Sequence, residues 1–511
     1  MEELKPREYQ LKIFETAKEK NTLVVLPTGL GKTLIALLLA KERLKLFPNS
    51  KIVFLAPTRP LTEQHYNYFK KYLPNYEQHI FTGKINPNKR AELWQKSRII
   101  FSTPQCIEND LKNNLISMND VSLLVEDECH RCLKNYSYVY VAQEYLKQAK
   151  NPRVLGLTAS PGNDAATIKS ICKNLKIDAV EIRTRESKDV KPYLQKLEKQ
   201  IIKIDPLEEM KVASSLLKKI YEKKIDELQN RKLLFGKKTK TNIIELQKKL
   251  IKLAATGNRH FNILRGLTIC AQAIKIQHAI EMLETQGIEQ CYNYLKEIFD
   301  QATKSKSRAV KQLVNTKELG DVYVILTKLF QKNIEHPKFY KLKEIIQNEI
   351  KNNPELKAII FSQYRETVNK INEMLNALGI KSKTFIGQAK RKINGLTQIE
   401  QQAILREFSQ GIINILVSTS IGEEGLDIPE VDLVMFYEPI PSAIRKIQRA
   451  GRTARLKPGK LIILVTKGTR DESNYWASYH KEKKMYGILE NINKELKKEV
   501  EQKFQKKLNE F

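Results

Sequence analysis

Short apolar runs alternate with longer segments of helical spacing in two separate parts of the chain. In the first part the runs are residues 22–26, 52–56, 79–82, 98–102, 121–125 and 154–157. In the second part they are residues 358–361, 382–386, 414–417, 433–437 and 461–465. Polar or turn residues follow the runs, so the alternation predicts parallel sheets that are covered by helices on both faces. The pattern therefore predicts an α/β protein with two parallel-sheet domains.

Two further stretches have helical spacing without alternating strands. Residues 207–325 contain apolar positions such as Leu246, Leu250 and Leu253, which indicate an all-helical insertion between the sheets. Near the end of the chain, apolar residues in steps of four predict a long amphipathic helix: Ile488, Ile492, Leu496, Val500, Phe504 and Leu508. We therefore expect four parts, residues 1–206, 207–325, 326–480 and 481–511, with a last helix that packs on the second sheet domain and then projects as a connector.

The first apolar run leads directly into a glycine-rich segment. Its residues are Leu26, Pro27, Thr28, Gly29, Leu30, Gly31, Lys32 and Thr33. A buried strand that turns sharply into a helix directs backbone N–H groups and the helix N-terminus at one spot, which suits phosphate. Lys32 would reach the β- and γ-phosphates of a nucleotide, and Thr33 would coordinate Mg²⁺. Because the strict phosphate-loop pattern has glycine in place of Leu26, an ordinary turn before a helix is the alternative interpretation.

Two carboxylates stand at the end of the apolar run at residues 121–125. They are Asp127 and Glu128, roughly a hundred residues after the glycine-rich segment. Nucleoside triphosphatases place acidic groups at strand ends beside the phosphate loop, where they hold the metal and orient the attacking water. We predict that Asp127 binds Mg²⁺ and that Glu128 activates the water.

A basic segment of the second sheet domain contains Gln448, Arg452 and Arg455. The two arginines are three positions apart, which predicts that they share one face of a helix. Guanidinium groups that reach another domain's nucleotide stabilise the charge that develops on the γ-phosphoryl group. We predict that role for both arginines; a solvated basic helix is the alternative.

The charge of the chain indicates a polyanionic partner. The formal net charge is +31, and residues 201–330 alone carry 24 Lys and Arg against 14 Asp and Glu. Nucleic acid is the commonest polyanionic partner of proteins. The alternative is that a lysine-rich proteome, or an exposed basic insertion, accounts for part of the excess positive charge. The six cysteines are scattered and suit a reducing compartment. The start of the chain is unlike a signal peptide, so we expect a cytoplasmic protein, nucleoid-associated if prokaryotic.

In their order along the chain, the polar segments resemble the motifs of superfamily 2 helicases. Motifs I, Ia, Ib, II, III, V and VI correspond to residues 26–33, 57–59, 103–105, 127–130, 158–160, 418–427 and 448–455, and the resemblance covers about 350 of the 511 residues. The Asp-Glu-Cys-His sequence of motif II and the long insertion are similar to those of the archaeal Hef and eukaryotic FANCM family. The resemblance implies two RecA-like motor domains with a helical insertion domain between them, ATP and Mg²⁺ as cofactors, and forked or branched DNA as partner.

The resemblance also implies roles for residues that the apolar pattern does not explain. Arg7 and Gln10 would contact the adenine of ATP, Gly425 and Asp427 would contact the nucleotide, and Gln448 would take part in catalysis. The implied contacts to the nucleic-acid backbone, without sequence specificity, are Pro57, Thr58, Arg59, Thr103, Pro104, Gln105, Gln363 and Thr419. Hef proteins carry a nuclease module after the helicase, but its Glu-Arg-Lys-x-x-x-Asp signature is absent here. A nuclease module or partner would therefore lie outside this chain.

Three functions compete at this point. The leading expectation is an ATP-dependent DNA helicase or translocase that remodels or unwinds forked and branched DNA in replication-fork repair. The second is a double-stranded-RNA-dependent ATPase of the RIG-I or Dicer type, which shares the Asp-Glu-Cys-His motif and a helical insertion. Such RNA sensors add a cysteine zinc module that this chain lacks. The third is a nucleic-acid clamp with vestigial ATP turnover, which the complete set of catalytic residues disfavours.

Overall fold

The first part of the chain forms a seven-stranded parallel sheet. The computed structural model describes residues 5–162, 164–236, 238–257, 260–304, 307–387, 396–419, 428–454 and 457–509. The strands are β1 (Thr22–Val25), β2 (Lys51–Leu55), β3 (Gln78–Phe81), β4 (Ile99–Ser102), β5 (Val121–Asp127), β6 (Val154–Thr158) and β7 (Ala179–Ile182). Their spatial order is β3-β4-β2-β5-β6-β1-β7. The central strands β1, β2, β4, β5 and β6 are almost fully buried because helices cover both faces, which explains their continuous apolar runs.

Seven helices connect and cover these strands. They are α1 (Glu8–Glu19), α2 (Lys32–Leu46), α3 (Arg59–Tyr72), α4 (Pro87–Lys96), α5 (Pro104–Lys112), α6 (Ser137–Gln148) and α7 (Ala165–Asn174). Helices α2, α3 and α5 each begin directly after a strand, so their N-termini lie at the carboxyl edge of the sheet.

A second, six-stranded parallel sheet includes one strand that the sequence placed in the first domain. Its strands are β8 (Leu197–Ile204), β9 (Ala358–Phe361), β10 (Ser382–Phe385), β11 (Ile415–Ser418), β12 (Leu433–Phe436) and β13 (Gly459–Thr466), in the order β10-β11-β9-β12-β13-β8. Strand β8 pairs with β13 along its whole length, so the prediction that residues 197–204 belong to the first domain was wrong. The insertion itself begins with α8 at Glu208, next to the predicted boundary at residue 206. The sequence does not predict this strand because it lies at the edge of the sheet. Most of its side chains are exposed and polar, so it has no apolar run.

The insertion between the sheets is all helical, as expected. Its helices are α8 (Glu208–Asn230), α9 (Lys240–Ala255), α10 (Phe261–Glu281), α11 (Ile288–Lys304), α12 (Arg308–Val314) and α13 (Lys317–Gln331), with a π-helical turn at Met282–Gln286. The insertion therefore runs past the expected end at residue 325. The next helix, α14 (Pro337–Asn352), belongs to the second sheet domain, because Leu342 and Ile346 are buried in the core beside β9.

The last helix packs on the second sheet domain at its start, as expected, and then connects this domain to the first. The second sheet domain also contains α15 (Arg365–Ala377), α16 (Gln398–Ser409) and α17 (Ala443–Ala450), and the chain then forms α18 (Arg470–Asn509), which starts on this domain. Further along, Met485, Leu489 and Ile492 are buried in a core of the first sheet domain, which they share with Val180 of β7. The helix thus bridges the two sheets. None of the helices in the described ranges is both long and apolar enough to cross a membrane.

A buried polar cluster fixes the helical insertion to the second sheet. The Lys338 ammonium group is fully buried and donates to Asp471 Oδ2 at 2.8 Å and to the carbonyl oxygen of Thr285 at 2.7 Å. The Tyr437 hydroxyl donates to the carbonyl oxygen of Gln286 at 3.1 Å. Because Thr285 and Gln286 belong to the π-helical turn, this turn is the point where the insertion meets the strand ends of the second sheet.

Glu438 lies in the same cluster, at the end of β12. Its carboxylate accepts hydrogen bonds from the Ser362 hydroxyl at 3.2 Å and from the backbone N–H of Gln363. Burial raises the pKa of Glu438 to about 7, although the positive charges of Lys338 and Arg449 oppose the shift. The folded protein therefore holds a proton on Glu438 under conditions in which the unfolded chain has released it.

This difference makes stability depend on pH. Between the ordinary carboxyl pKa of 4.5 and about 7 the folded state binds more protons than the unfolded state, so stability should fall as pH rises through this window. Glu438→Gln stays neutral and should lack this loss, which amounts to roughly 3 kcal/mol at most. We expect the variant and the original protein to unfold at similar temperatures at pH 5, and the variant to be the more stable at pH 8. Equal differences in melting temperature at both pH values would contradict the assignment.

Candidate active site

The glycine-rich segment forms a phosphate loop between β1 and α2. Gly29 and Gly31 have φ values of 83° and 79°, which residues with a side chain rarely adopt. Lys32 begins α2, and its Nζ donates to the carbonyl oxygen of Leu26 at 3.0 Å. The Leu26 side chain is fully buried in the core, so this residue serves the loop through its backbone. The departure from the strict pattern is therefore compatible with the loop.

Residues of α1 and its N-cap hold the phosphate loop through a set of hydrogen bonds. The Tyr9 hydroxyl and Gln10 Nε2 both donate to the carbonyl oxygen of Leu30, at 2.8 and 3.1 Å, and Gln10 Oε1 accepts from the Arg7 N–H at 2.8 Å. A Cβ atom at Gly31 would lie 2.3 Å from Gln10 Nε2, so a side chain at this position would displace Gln10. The predicted contact of Arg7 and Gln10 with adenine stays a prediction.

Asp127 at the end of β5 is held by two side chains. His65 Nε2 donates to Asp127 Oδ2 at 2.9 Å, and the Tyr138 hydroxyl donates to the Asp127 carbonyl oxygen at 2.6 Å. Burial alone would raise the pKa of Asp127, but the hydrogen bond from His65 and the charge of Lys32 hold it below its ordinary value. Asp127 is therefore an ionised carboxylate in the electrostatic range of Lys32.

Glu128 has an unusual backbone conformation. Its φ and ψ are 50° and 44°, in the left-handed region that few residues other than glycine occupy. Its carboxylate lies 3.2 Å from His130 Nδ1, which is also 3.2 Å from the Thr158 hydroxyl at the end of β6. The turn thus keeps Asp127 and Glu128, which are adjacent in the sequence, at the carboxyl edge of the sheet. Both lie next to the residues that follow β6.

The second sheet meets the phosphate loop at Gly451. A Cβ atom built on Gly451 would lie 1.5 Å from the Thr28 hydroxyl oxygen, so the Thr28 side chain lies against the Gly451 backbone and leaves no room for a side chain there unless Thr28 moves. Arg452 follows and is mostly buried. Helix α17 ends at Ala450, so the prediction that Arg452 and Arg455 share one helical face was wrong. Gln448 is buried on α17, and Arg455 lies outside the described residues, as do Gly425 and Asp427.

The residues predicted to contact nucleic acid lie at strand ends of the two sheets. In the first sheet they follow the neighbouring strands β2 and β4, and in the second sheet the neighbouring strands β9 and β11. Gln105 and Gln363 are exposed, whereas Pro104 and Thr419 are buried; partly exposed are Pro57, Thr58, Arg59 and Thr103. The predicted nucleotide residues at this edge follow β1 and β5, so the two sets occupy different parts of the same edge of the first sheet.

Two residues that support Asp127 were not predicted from the sequence, and neither was the long-range contact of Ser160, although residues 158–160 were predicted as motif III. His65 and Tyr138 hold Asp127, and the hydroxyl of Ser160 donates to the sulfur of Met485 in α18 at 2.9 Å. His65 follows the segment 57–59 by six positions, so its helical spacing offered a weak signal. The contact between Ser160 and Met485 joins residues 325 positions apart and had no local signal.

Three known families match the chain in sequence order. They are described as "Type III restriction enzyme, res subunit" over residues 3–163, "Putative ATP-dependent RNA helicase, helical bundle" over 208–336, and "Helicase conserved C-terminal domain" over 338–457. The crystal structure of the Pyrococcus furiosus Hef helicase domain superposes with a TM-score of 0.73 at 43% identity, and the match covers 93% of this chain and 98% of that one.

Curated relatives resemble nearly the whole chain. A "Putative ATP-dependent RNA helicase" of Methanocaldococcus jannaschii is 40% identical over 96% of this chain and 61% of its own length. The mouse "Fanconi anemia group M protein homolog" is 34% identical over 94% of this chain and 26% of its own length. The "ATP-dependent DNA helicase fml1" of Schizosaccharomyces pombe is 32% identical over 95% of this chain and 59% of its own length. The chain thus spans less than two thirds of these relatives.

The two parallel sheets, the phosphate loop between them and the helical insertion define the class of superfamily 2 helicases, which are ATP-dependent motors. Within that class, the chain belongs to the family of Hef and FANCM helicases. The predicted family and fold class are thereby confirmed.

The hydrogen bond from His65 to Asp127 leads to a prediction about turnover. His65→Ala removes a donor to a buried carboxylate, and such hydrogen bonds contribute about 1.5–3 kcal/mol. We expect ATP turnover to fall roughly 10- to 100-fold, and His65→Gln, which keeps an N–H donor, to recover part of it. His79→Gln serves as control. His79 lies on the edge strand β3, which β4 and β2 separate from β5 and Asp127, and it contacts Ser97. Steady-state ATPase rates should be measured with melting temperatures. Equal turnover in all three variants would refute the role.

Proposed function

We propose that this chain is an ATP-driven motor that moves along DNA and remodels or unwinds forked and branched DNA, as in the repair of replication forks. The contact between Thr28 and Gly451 carries the proposal. A nucleotide on the phosphate loop would lie between the two sheets, so its binding and hydrolysis would alter their separation. An activity of this kind would act on chromosomal DNA, in the cytoplasm if the cell is prokaryotic.

The residues around the loop suit ATP with Mg²⁺. The loop N–H groups, Lys32 and the start of α2 would bind the phosphates, and the hydroxyl of Thr33 and the ionised carboxylate of Asp127 supply the oxygen ligands that Mg²⁺ prefers. The metal would neutralise charge on the phosphates. Glu128 would accept a proton from the attacking water, with His130 beside its carboxylate. These assignments make motif II a DECH box in function as well as in sequence.

The second sheet would complete the site when the sheets close. Arg452 follows Gly451 directly, so it enters the cleft at the point where the sheets already touch. We assign Arg452 and Arg455 to stabilising the charge on the transferred phosphoryl group, with Gln448 in the same segment. Gly425 and Asp427 would contact the nucleotide from the same sheet.

The nucleic-acid track would run across the strand ends that the nucleotide does not use. Thr58, Arg59 and Gln105 belong to the first sheet, and Gln363 and Thr419 to the second. Opening and closing of the cleft would move one group past the other along a single strand. Contacts to phosphate rather than bases make such stepping independent of sequence.

DNA is favoured over RNA by the relatives whose names state the substrate. The fission yeast, mph1 and Drosophila relatives are named DNA helicases, whereas the Methanocaldococcus and Arabidopsis relatives are named RNA helicases. An RNA-dependent ATPase is therefore the second candidate. We assign no nuclease activity to this chain, and a nuclease module or partner would act beside it.

One ATPase assay separates these candidates. Rates are compared with single-stranded DNA, forked DNA, duplex DNA and duplex RNA, for the original protein and for Lys32→Ala. We expect stimulation by single-stranded and forked DNA, and loss of turnover in Lys32→Ala with DNA binding retained, because the phosphate loop and the DNA track use different strand ends. Stimulation by duplex RNA alone would favour the second candidate. Equal loss of turnover and DNA binding in Lys32→Ala would refute the separation of the two sites.

Arg452→Ala tests the role of the second sheet. An arginine that stabilises the transition state changes turnover far more than nucleotide affinity, by about 10³-fold or more. We expect nucleotide affinity within a few-fold of the original. Arg445→Ala, on the preceding turns of α17, is the matched control. Affinity and turnover that fall in proportion would show that Arg452 binds the ground state instead.

A further inference from the structure

Glu438 carries a fully buried carboxyl group, and it is not among the residues that we assign to the nucleotide or to the DNA track. It follows β12 by two positions, at the carboxyl edge of the second sheet. A carboxyl group in the protein interior lowers stability unless hydrogen bonds compensate for the water that it loses. The hydrogen-bond partners of Glu438 therefore indicate what the group does for the protein.

The partners of Glu438 belong to the segment that follows the neighbouring strand. Strands β9 and β12 pair in parallel to their last residues, and the N–H of Tyr437 still donates to the carbonyl oxygen of Phe361 at 3.0 Å. Beyond that bond, the N–H of Gln363 donates to Glu438 Oε1, and the Ser362 hydroxyl donates to Oε2 at 3.2 Å. The Glu438 side chain thus continues the contact between the two strands after their backbone pairing has ended.

The segment that Glu438 holds contains a residue predicted to contact nucleic acid. The side chain of Gln363 is exposed, whereas Ser362 before it and Thr367 after it are buried. Helix α15 begins at Arg365, so the backbone at Gln363 sets the direction in which the chain leaves β9 and enters the helix. Because the N–H of Gln363 is fixed to the Glu438 carboxyl group, the orientation of the exposed Gln363 side chain depends on that group.

The same carboxyl group lies in the electrostatic range of the helix that leads to the phosphate loop. Arg449 is fully buried in α17, and its guanidinium lies 4.8 Å from the centre of the ring of Phe361, the last residue of β9. Its positive charge lowers the pKa of Glu438, against the effect of burial. Helix α17 leads directly to Gly451, which lies against Thr28 of the phosphate loop. Glu438 therefore lies between α17 and the segment that carries Gln363.

We propose that Glu438 is a positioning residue, which holds Gln363 in place for its contact with the nucleic-acid strand. This inference rests on the proposed function, in which Gln363 belongs to the DNA track. Because Glu438 is fully buried, it touches neither strand nor nucleotide, and its effect on turnover passes through the backbone of Gln363. A purely structural role would instead change the stability of the second sheet domain without changing its response to DNA.

The variants separate positioning from stability. Glu438→Ala removes the acceptor of the Gln363 N–H, and Glu438→Gln keeps the volume and one acceptor oxygen. Glu438→Asp withdraws the acceptor by one methylene group and replaces the alanine variant if that variant does not fold. Thr367→Val is the matched control, because it removes another buried hydrogen bond of α15, from the Thr367 hydroxyl to Gln286 Oε1 at 2.8 Å, and leaves the Gln363 N–H bonded. Gln363→Ala is made alone and together with Glu438→Ala.

ATPase rates are measured against the concentration of single-stranded DNA, and without DNA against the concentration of ATP, beside melting temperatures. We expect Glu438→Ala to raise the DNA concentration for half-maximal stimulation by roughly 5- to 50-fold, because a donor at the contact loses its partner. The ATP concentration for half-maximal rate without DNA should stay unchanged. Glu438→Gln should recover most of the loss, and Thr367→Val should change only the melting temperature. Gln363→Ala should match Glu438→Ala, and the double variant should show no further loss, because both residues act in one contact.

An unchanged half-stimulating DNA concentration in Glu438→Ala would overturn the proposal. So would additive effects of Glu438→Ala and Gln363→Ala, which would show that Glu438 acts elsewhere, or an equal effect of Thr367→Val. If RNA stimulates the original protein in place of DNA, the same series is measured with RNA, since backbone contacts serve either strand. Absence of stimulation by any nucleic acid in the original protein would refute the proposed function and this inference with it, whereas normal stimulation with unaltered variants would refute this inference alone.

Discussion

The close approach of Gly451 to Thr28 is the constraint on which the two-domain arrangement depends. A side chain at residue 451 would overlap the Thr28 hydroxyl, so at this point the Thr28 side chain packs against the backbone of the second sheet domain. Hydrogen bonds from Tyr9 and Gln10 in turn hold the loop, and two glycines of the loop adopt the left-handed conformation. A nucleotide bound in this loop would therefore lie next to both sheet domains, and the proposed coupling of ATP hydrolysis to movement depends on this arrangement.

Two helical elements connect the sheets in different ways. The insertion docks on the second sheet domain through the carbonyl oxygen of Thr285, which accepts from the buried ammonium group of Lys338, itself paired with Asp471. Because removing this acceptor would leave a buried charge with one partner fewer, the insertion should move with the second sheet. Helix α18 starts on the second sheet but buries Met485, Leu489 and Ile492 in the first domain. Because Ser160, which follows β6, donates to Met485, α18 contacts the nucleotide side of the first sheet. A rearrangement of the cleft would therefore also have to change how α18 packs on one of the two sheet domains.

The parts of the fold that were predictable are those with a local signal. Apolar runs located eleven strands to within about two residues, and the glycine pattern located the phosphate loop, because a buried strand and a left-handed turn constrain residue types directly. Strand β8 and the packing of α18 had no such signal. Both depend on contacts between distant segments, namely β8 with β13 and Met485 with Ser160. Arg452 was misplaced because its spacing fits a helix that the structure ends at Ala450.

The two ends of the insertion differ in how their polar groups are satisfied. At the docking end, the carbonyl oxygen of Thr285 accepts from the buried ammonium group of Lys338, which also pairs with Asp471 of the second sheet domain. Around residues 231–265, several basic side chains and five large apolar side chains are exposed to solvent instead. Deletion of the whole insertion would therefore remove an acceptor from Lys338 as well as this basic surface. A loss of branch preference after such a deletion would say little about DNA, whereas substitutions confined to residues 231–265 leave the buried pair and its partners intact.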